Sequence, residues 1–312
     1  MAQAPATPKA KRALMLIAAL FSTQWARGLQ PAPSEAAALD ARHRALPPVT
    51  DPVVVFLIPL VGRHHVDDWS AVSDRLNHTL KSFRRQTSPR WRALICGQDR
   101  PNGLLETSQI QFLPFTEMVE GNDKWRKLEH LCNALPTLGI PSGYAMPFDA
   151  DDLIAPHVVD EMMMRRDHCG YLVERGFVHD ASTGGWARAM PRGLRHPKQK
   201  AFWKLCGSCA AFAFDFRRDQ QDATLLARIT AHEHRMFPYL ATLSRRALTP
   251  LRAGAALYII NHGENFGVRR GRVGFKTRFV EHFALQDADE IARLNVTFGL
   301  PKPNKRSRPK LP

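Results

Sequence analysis

Residues 53–59, Val-Val-Val-Phe-Leu-Ile-Pro, decide how this chain is built. Six consecutive apolar side chains leave no polar face, so the segment predicts a strand buried on both sides. Pro59 lacks the amide hydrogen a further ladder bond needs, and it stops the run. On the C-terminal side, Trp69, Val72, Leu76, Leu80 and Phe83 recur at helical spacing. Trp91 to Cys96 then returns to strand composition, which completes a strand–helix–strand unit. A third short strand, Ile110 to Leu113, precedes a helix from about Asp123 whose inner stripe is Trp125, Leu128, Leu131, Cys132 and Leu135. Pro136 and Gly139 end that helix, and Gly143 to Phe148 reads as a fourth strand. The alternation predicts an α/β domain with a mostly parallel, Rossmann-like central sheet flanked by helices, the strands from Val53, Trp91 and Gly143 lying side by side. In such sheets ligands collect beyond the carboxyl ends of strands, so a site is expected after Ile58, Cys96 and Phe148.

Toward the N-terminus the best apolar run is Ala13 to Phe21, preceded by Lys9, Lys11 and Arg12. It falls well short of the roughly 18 residues that cross a bilayer. Its basic flank is like that of a signal peptide, but no clear small-x-small cleavage site precedes Ala26 or Arg27, so an amphipathic helix is the expectation. Gln30 to Asp51 is rich in Ala and Pro and reads as a linker around a short helix from Ser34 to His43. The domain organisation expected is thus an N-terminal segment and linker over 1–51, one folded domain over 52–300, and a basic disordered tail over 301–312.

Of 312 residues, 44% are hydrophobic and 23% charged, which excludes a wholly disordered chain. Lys and Arg number 44 against 29 acidic residues, a formal charge of +15 that attracts phosphates, nucleic acid or anionic lipid. Five cysteines, an odd number, suit reduced thiols better than a disulfide framework. A cytoplasmic location follows as the expectation, with peripheral contact at an anionic membrane as an extension of it.

Directly after the fourth strand stands Phe148-Asp149-Ala150-Asp151-Asp152, three carboxylates in four residues of a basic protein. Such crowding is tolerated around a bound hard cation, in a solvated loop, or as the cap of a following helix. The helical pattern after Pro156, with Val159, Met162 and Met163, keeps the cap reading open. In context, a buried strand ending in Pro59, a helix bearing Lys124 and Lys127, and a strand running into Asp-Ala-Asp-Asp resemble the nucleotide-sugar glycosyltransferases of the GT-A fold, family 2-like group. The resemblance spans about residues 52–266 and is most specific at Asp149 to Asp152. It implies a metal-dependent transfer of sugar from a nucleotide-sugar donor to a glycan, lipid-linked or other hydroxyl acceptor, with Mn²⁺ or Mg²⁺ as cofactor. Position by position, it implies Asp149 on the donor ribose or metal, Asp151 as principal metal ligand and Asp152 in support. Pro59 and Asp99 fall on the donor side, Asp99 near the base although the usual Asp-Asp-Gly-Ser form is absent. Lys124 and Lys127 would face the donor phosphates, unless they form only a wet helix face.

In the second half, Ala181 to Phe214 carries no acid while Arg188, Arg192, Arg195, Lys198, Lys200 and Lys204 accumulate. Its glycines and prolines predict a mobile loop that closes over a pyrophosphate or a charged acceptor, or else a solvated surface. Cys206-Gly207-Ser208-Cys209 has no second cysteine pair to make a zinc site, and the resemblance puts Gly207 and Ser208 on the acceptor side. It also implies Glu233, in Thr230-Ala231-His232-Glu233-His234, as general base, against a bland reading as a helix-terminal glutamate. His262, after the apolar run Tyr258 to Ile260, corresponds to a late metal-binding histidine, and Arg269, Arg270 and Arg272 could screen a leaving diphosphate. Two other classes compete. A nucleic-acid-binding protein fits the charge, but no recognised motif accompanies it and the acidic cluster repels a phosphate backbone. A catalytically silent glycosyltransferase-like interaction protein also fits, because the acidic base motif is imperfect.

Overall fold

The computed structural model describes residues 4–44, 50–119, 121–194, 196–217, 220–263 and 273–300. Eleven strands are seen among them: β1 Val53–Pro59, β2 Trp91–Gly97, β3 Ile110–Pro114, β4 Ser142–Pro147, β5 Leu153–Ile154 and β6 Gly170–Leu172. They continue with β7 Gly176–Asp180, β8 Gly185–Ala189, β9 Ala210–Asp215, β10 Thr249–Pro250 and β11 Ala256–Ile260. The principal helices are α1 Lys9–Phe21, α2 Thr23–Gly28, α3 Pro33–Ala41, α4 Trp69–Arg84 and α5 Lys124–Ala134, then α6 Val158–Arg165, α7 Gln221–Thr230 and α8 Phe237–Leu243. Two further helices, Val273–His282 and Ala288–Phe298, follow.

The central sheet has seven strands in the order β10-β6-β9-β4-β1-β2-β3. β1 lies between β2 and β4 and is parallel to both, with Ile58 opposite Ile95 and Phe56 opposite Met146. Val54 to Ile58 are all buried, as a continuous apolar run requires. The sheet is mixed rather than mostly parallel, because β9 pairs antiparallel with both β4 and β6. The cause is local: α6 carries the chain across between β4 and β6, but β6 reaches β9 through a hairpin and a 3₁₀ turn. Without a crossover helix the returning strand runs the opposite way. That hairpin, β7–β8, belongs to a second sheet of four strands ordered β5-β11-β7-β8.

Phe148 anchors the end of β4. Its amide donates to Leu57 O at 2.9 Å, and its ring meets Phe56 and Phe83 edge-on at 5.5 and 5.2 Å. Phe56 and Phe83 stack at 3.9 Å, which ties β1, α4 and the residues after β4 into one knot. Each such ring pair contributes about 0.5–1.5 kcal/mol beyond its buried area. The segment expected to be a linker is integral to this packing. Ala38 and Leu39 of α3 are fully buried, and α3 lies against α7 and α8. Glu35, also buried, accepts from Tyr239 Oη at 2.8 Å, and Ser34 Oγ meets His232 Nε2 at 2.5 Å. Alanine let the helix approach closely, so its composition meant packing and not flexibility. Among the described residues no helix is long and apolar enough to cross a membrane. The tail expected over 301–312 lies outside the described residues, as do Arg195, Arg269, Arg270 and Arg272.

Candidate functional site

The turn after β4 divides the three aspartates. Asp152 N donates to Asp149 O at 3.2 Å and closes the turn, while Thr79 Oγ1 from α4 bonds the carbonyls of Ala150 and Asp152 at 3.0 and 2.9 Å. Asp152 then enters β5 with no accessible surface. Its Oδ2 accepts from Ser208 Oγ at 2.6 Å and Cys206 Sγ at 3.0 Å, and Ser208 Oγ accepts from Asp149 N at 2.8 Å. Burial, then the charges of Asp151 and Asp149, push the Asp152 carboxyl well above the usual aspartate range. Asp152 therefore props the turn from inside and does not line the cleft that Asp149 and Asp151 border. Ser208, likewise fully buried, belongs to this prop and not to an acceptor surface.

Asp149 and Asp151 instead border an open cleft of about 260 Å³. Its walls come from the end of β1 (Pro59, Leu60), from Arg75 on α4, from Lys124 and Trp125 at the start of α5, and from His262 beyond β11. These segments meet because the carboxyl ends of β1 and β4 adjoin in register. Lys124 Nζ pairs with Asp149 Oδ1. Burial opposes the charge on Lys124, but Asp149, Asp151 and Asp152 outweigh it and raise its pKa above the ordinary lysine value. His262 Nε2 stands 2.7 Å from Asp151 Oδ2. Burial pushes the Asp151 carboxyl up, yet His262, Lys124 and Arg75 together bring it below its usual value. The histidine reaches it through a tight turn: Asn261 takes φ +58° and its amide donates to Asp180 Oδ2 and Thr277 Oγ1 at 2.6 and 3.0 Å. Asparagine tolerates this left-handed conformation better than most residues. The cap reading of the acidic cluster fails, since α6 starts at Val158 behind His157 and has no side-chain cap.

No protein-family model and no curated protein matches this chain. The site therefore has to be judged on its own chemistry. Among the described residues no three His, Cys, Asp or Glu side chains form a ready-made metal cage. Asp149 and Asp151, both about a quarter exposed, nonetheless fit an ion that takes a few carboxylate oxygens and completes its shell with phosphate and water.

Several residues singled out in the sequence stand elsewhere. Lys127 does not face the cleft: its side chain is fully buried, with Nζ 2.7 Å from Asp123 Oδ2 and 2.5 Å from Leu60 O. Burial, chiefly, lowers its pKa. Asp99 accepts from Arg63 N at 2.8 Å and does not line the cleft. Glu233 begins the 3₁₀ turn His234–Met236 and borders neither the cleft nor the small void beside it, so the structure does not place a base there. Its neighbour His234 does line that void, with Lys124, Asp149 and Gly207. Burial, then Lys124, Arg235 and Lys276, lower the His234 pKa to about 3 and keep the ring neutral. Gly207, expected on the acceptor side, lies against the acidic turn: a Cβ there would sit 3.1 Å from Asp149 Oδ2.

Arg75 was missed. It lies at the border of the apolar stripe of α4, three residues from Val72, and a cation at that border was the available signal. Its Nη1 reaches His262 O at 3.4 Å, whereas Nη2 is buried without a hydrogen-bond partner among the described residues. Lys276 was also missed; it meets Tyr258 Oη behind the acidic turn, and no sequence motif marks it.

Proposed function

We propose that this chain is a metal-dependent glycosyltransferase of GT-A type that moves a sugar from a nucleotide-sugar donor to a hydroxyl acceptor. The observation that carries the reading is the sorting of the acidic turn: Asp149 and Asp151 open onto a cleft that also holds Arg75 and Lys124, while Asp152 is withdrawn into the core. Two carboxylates beside two cations suit a diphosphate bridged to a divalent ion, the carboxylates taking the metal and the cations the phosphate oxygens. Asp151 and Asp149 would hold Mn²⁺ or Mg²⁺ there, which would supply Lewis-acid stabilisation of the departing nucleoside diphosphate. His262 orients the Asp151 carboxylate, and Arg75 offers its unpartnered Nη2 to the anion. Lys124, paired with Asp149 before substrate arrives, is placed to exchange that partner for a phosphate. Trp125 gives the cleft an apolar wall. Asp152, Ser208 and Thr79 hold the turn rigid. No base is assigned, because Glu233 stands outside the cleft.

The test is nucleoside diphosphate release by the full chain from a panel of nucleotide sugars, with Mn²⁺ or with chelator, compared with Asp151→Asn. Metal-dependent release, and loss of Mn²⁺-dependent donor binding by roughly tenfold or more in the variant, are expected. Donor binding unchanged in Asp151→Asn would overturn the reading and leave the catalytically silent alternative.

A further inference from the structure

A second cavity, of about 370 Å³, is lined by six cations, Lys9, Arg12, Arg192, Lys200, Lys204 and Arg235, with Trp203 as its remaining wall. They arrive from four places: the first turn of α1, the loop after β8, the 3₁₀ turn Phe202–Lys204 and the 3₁₀ turn His234–Met236. No carboxylate lines this cavity, and none of the six takes part in an ion pair among the described residues.

Five of the six are held by neutral groups instead. Arg12 lies over the Tyr239 ring at 5.6 Å and reaches Met236 Sδ at 3.7 Å. Lys200 and Lys204 sit over the rings of Phe275 and Trp203 at 3.5 and 4.9 Å. Arg192 Nε and Arg235 Nε donate to the carbonyls of Gln199 and Lys204, each at 3.3 Å. Ring faces and carbonyls fix a cation without cancelling its charge, so the whole positive charge remains for a ligand. Arg12 Nε is buried without a hydrogen-bond partner among the described residues. The crowding has a cost: burial, then Arg235, Arg192 and Lys204, lowers the pKa of Lys200. Elsewhere this chain pairs its arginines with carboxylates, as in Arg126 with Glu117 and Arg246 with Asp222, so the cluster is not the net charge spread evenly.

We propose that this basic cavity is a binding site for a multivalent phosphate group, a diphosphate or its equivalent, separate from the acidic cleft. Three guanidinium forks and three ammonium groups suit phosphate oxygens, and a single carboxylate would leave most of them unmatched. The volume exceeds what one phosphate fills, and Trp203 offers a flat wall to whatever carries it. The phosphate has two possible sources, a free phosphorylated solute and a lipid headgroup. The second has support from the same helix: beyond Lys9 and Arg12, α1 exposes Leu14, Ile17, Leu20 and Phe21, with Trp25 beside them. The anion site stands independently of the glycosyltransferase reading. Within that reading it takes the acceptor's phosphate, since Arg235 directly follows His234, which lines the void beside Asp149.

The test is calorimetric titration of the full chain with inorganic pyrophosphate in the presence of chelator, so that no divalent ion loads the acidic cleft. The double variant Lys200→Ala/Arg235→Ala is compared with Lys81→Ala/Arg84→Ala, two exposed cations on α4. Loss of roughly tenfold in affinity is expected for the first and wild-type affinity for the second. Equal affinities in both doubles, or absence of pyrophosphate binding to the wild type, would overturn the site. Arg75→Ala, in the acidic cleft, should bind pyrophosphate as the wild type does; a loss there would move the anion to the cleft and overturn the proposal. Co-flotation with phosphatidylcholine vesicles, with and without phosphatidic acid, separates the sources. Retention on anionic vesicles that Leu20→Ser/Phe21→Ser abolishes supports the site as a headgroup receptor. Pyrophosphate binding without flotation supports it as a receptor for a soluble phosphate.

Discussion

Lys127→Met tests whether this lysine is structural, as the fold has it, or a phosphate contact, as the resemblance implied. Methionine keeps most of the length and volume of the side chain but removes the ammonium that meets Asp123 Oδ2 at 2.7 Å and Leu60 O at 2.5 Å. Asp123, only 4% exposed, would keep the Gln98 amide at 2.6 Å as a donor and lose its counter-charge. Breaking one side of a buried pair costs about 3–5 kcal/mol, and the surviving Gln98 bond favours the lower end, about 3 kcal/mol. With a urea m-value of about 3 kcal/mol per molar, the unfolding midpoint falls by about 1 M. The second variant isolates the cause. Lys127→Met/Asp123→Asn has no buried charge left, and should recover to within about 1 kcal/mol of wild type. The assay is urea denaturation followed by far-UV circular dichroism and tryptophan fluorescence together. An unchanged midpoint for the single variant would refute the reasoning, and so would a double variant as damaged as the single one.

Two further perturbations address the acidic turn. Because the Asp152 carboxyl is raised, the folded chain keeps that proton at pH values where the unfolded chain, with an aspartate pKa of about 3.9, has released it. Its stabilising contribution is therefore full below about pH 3.9 and declines as pH rises toward the folded pKa, so Asp152→Asn should show a flatter stability curve over that window. Urea midpoints at a series of pH values measure this, and parallel curves would dismiss it. Gly207→Ala puts a methyl 3.1 Å from Asp149 Oδ2 and 3.6 Å from Lys124 Nζ. It should weaken Mn²⁺-dependent donor binding severalfold while the urea midpoint stays near that of wild type, whereas wild-type donor affinity would separate Asp149 from the metal.

The local order of the first half was legible in the sequence because each element there is decided by its neighbours along the chain. The run Val53 to Ile58 has no polar face to turn toward water, and the stripes of α4 and α5 each repeat at helical spacing, so these elements could be drawn in place. The acidic turn, too, announced itself by its charge and by its position at a strand end. After residue 165 that logic lapses. The direction of β9 depends on how the chain returns from a second sheet. The same holds before β1, where α3 is fixed by what it packs against, since its alanines alone cannot distinguish a linker from a tight interface. The roles within the site were also settled only in three dimensions. Sequence spacing ranks Asp149, Asp151 and Asp152 alike, but the hydroxyl of Ser208 and the thiol of Cys206, more than fifty residues later, draw Asp152 into the core. His262 and Asp151 meet at 2.7 Å across a separation of 111 residues. The basic cavity joins the first turn of α1 to residues near 200 and 235. Charge and hydrophobic period are properties of a segment; burial and ion pairing belong to whatever the rest of the chain brings alongside it.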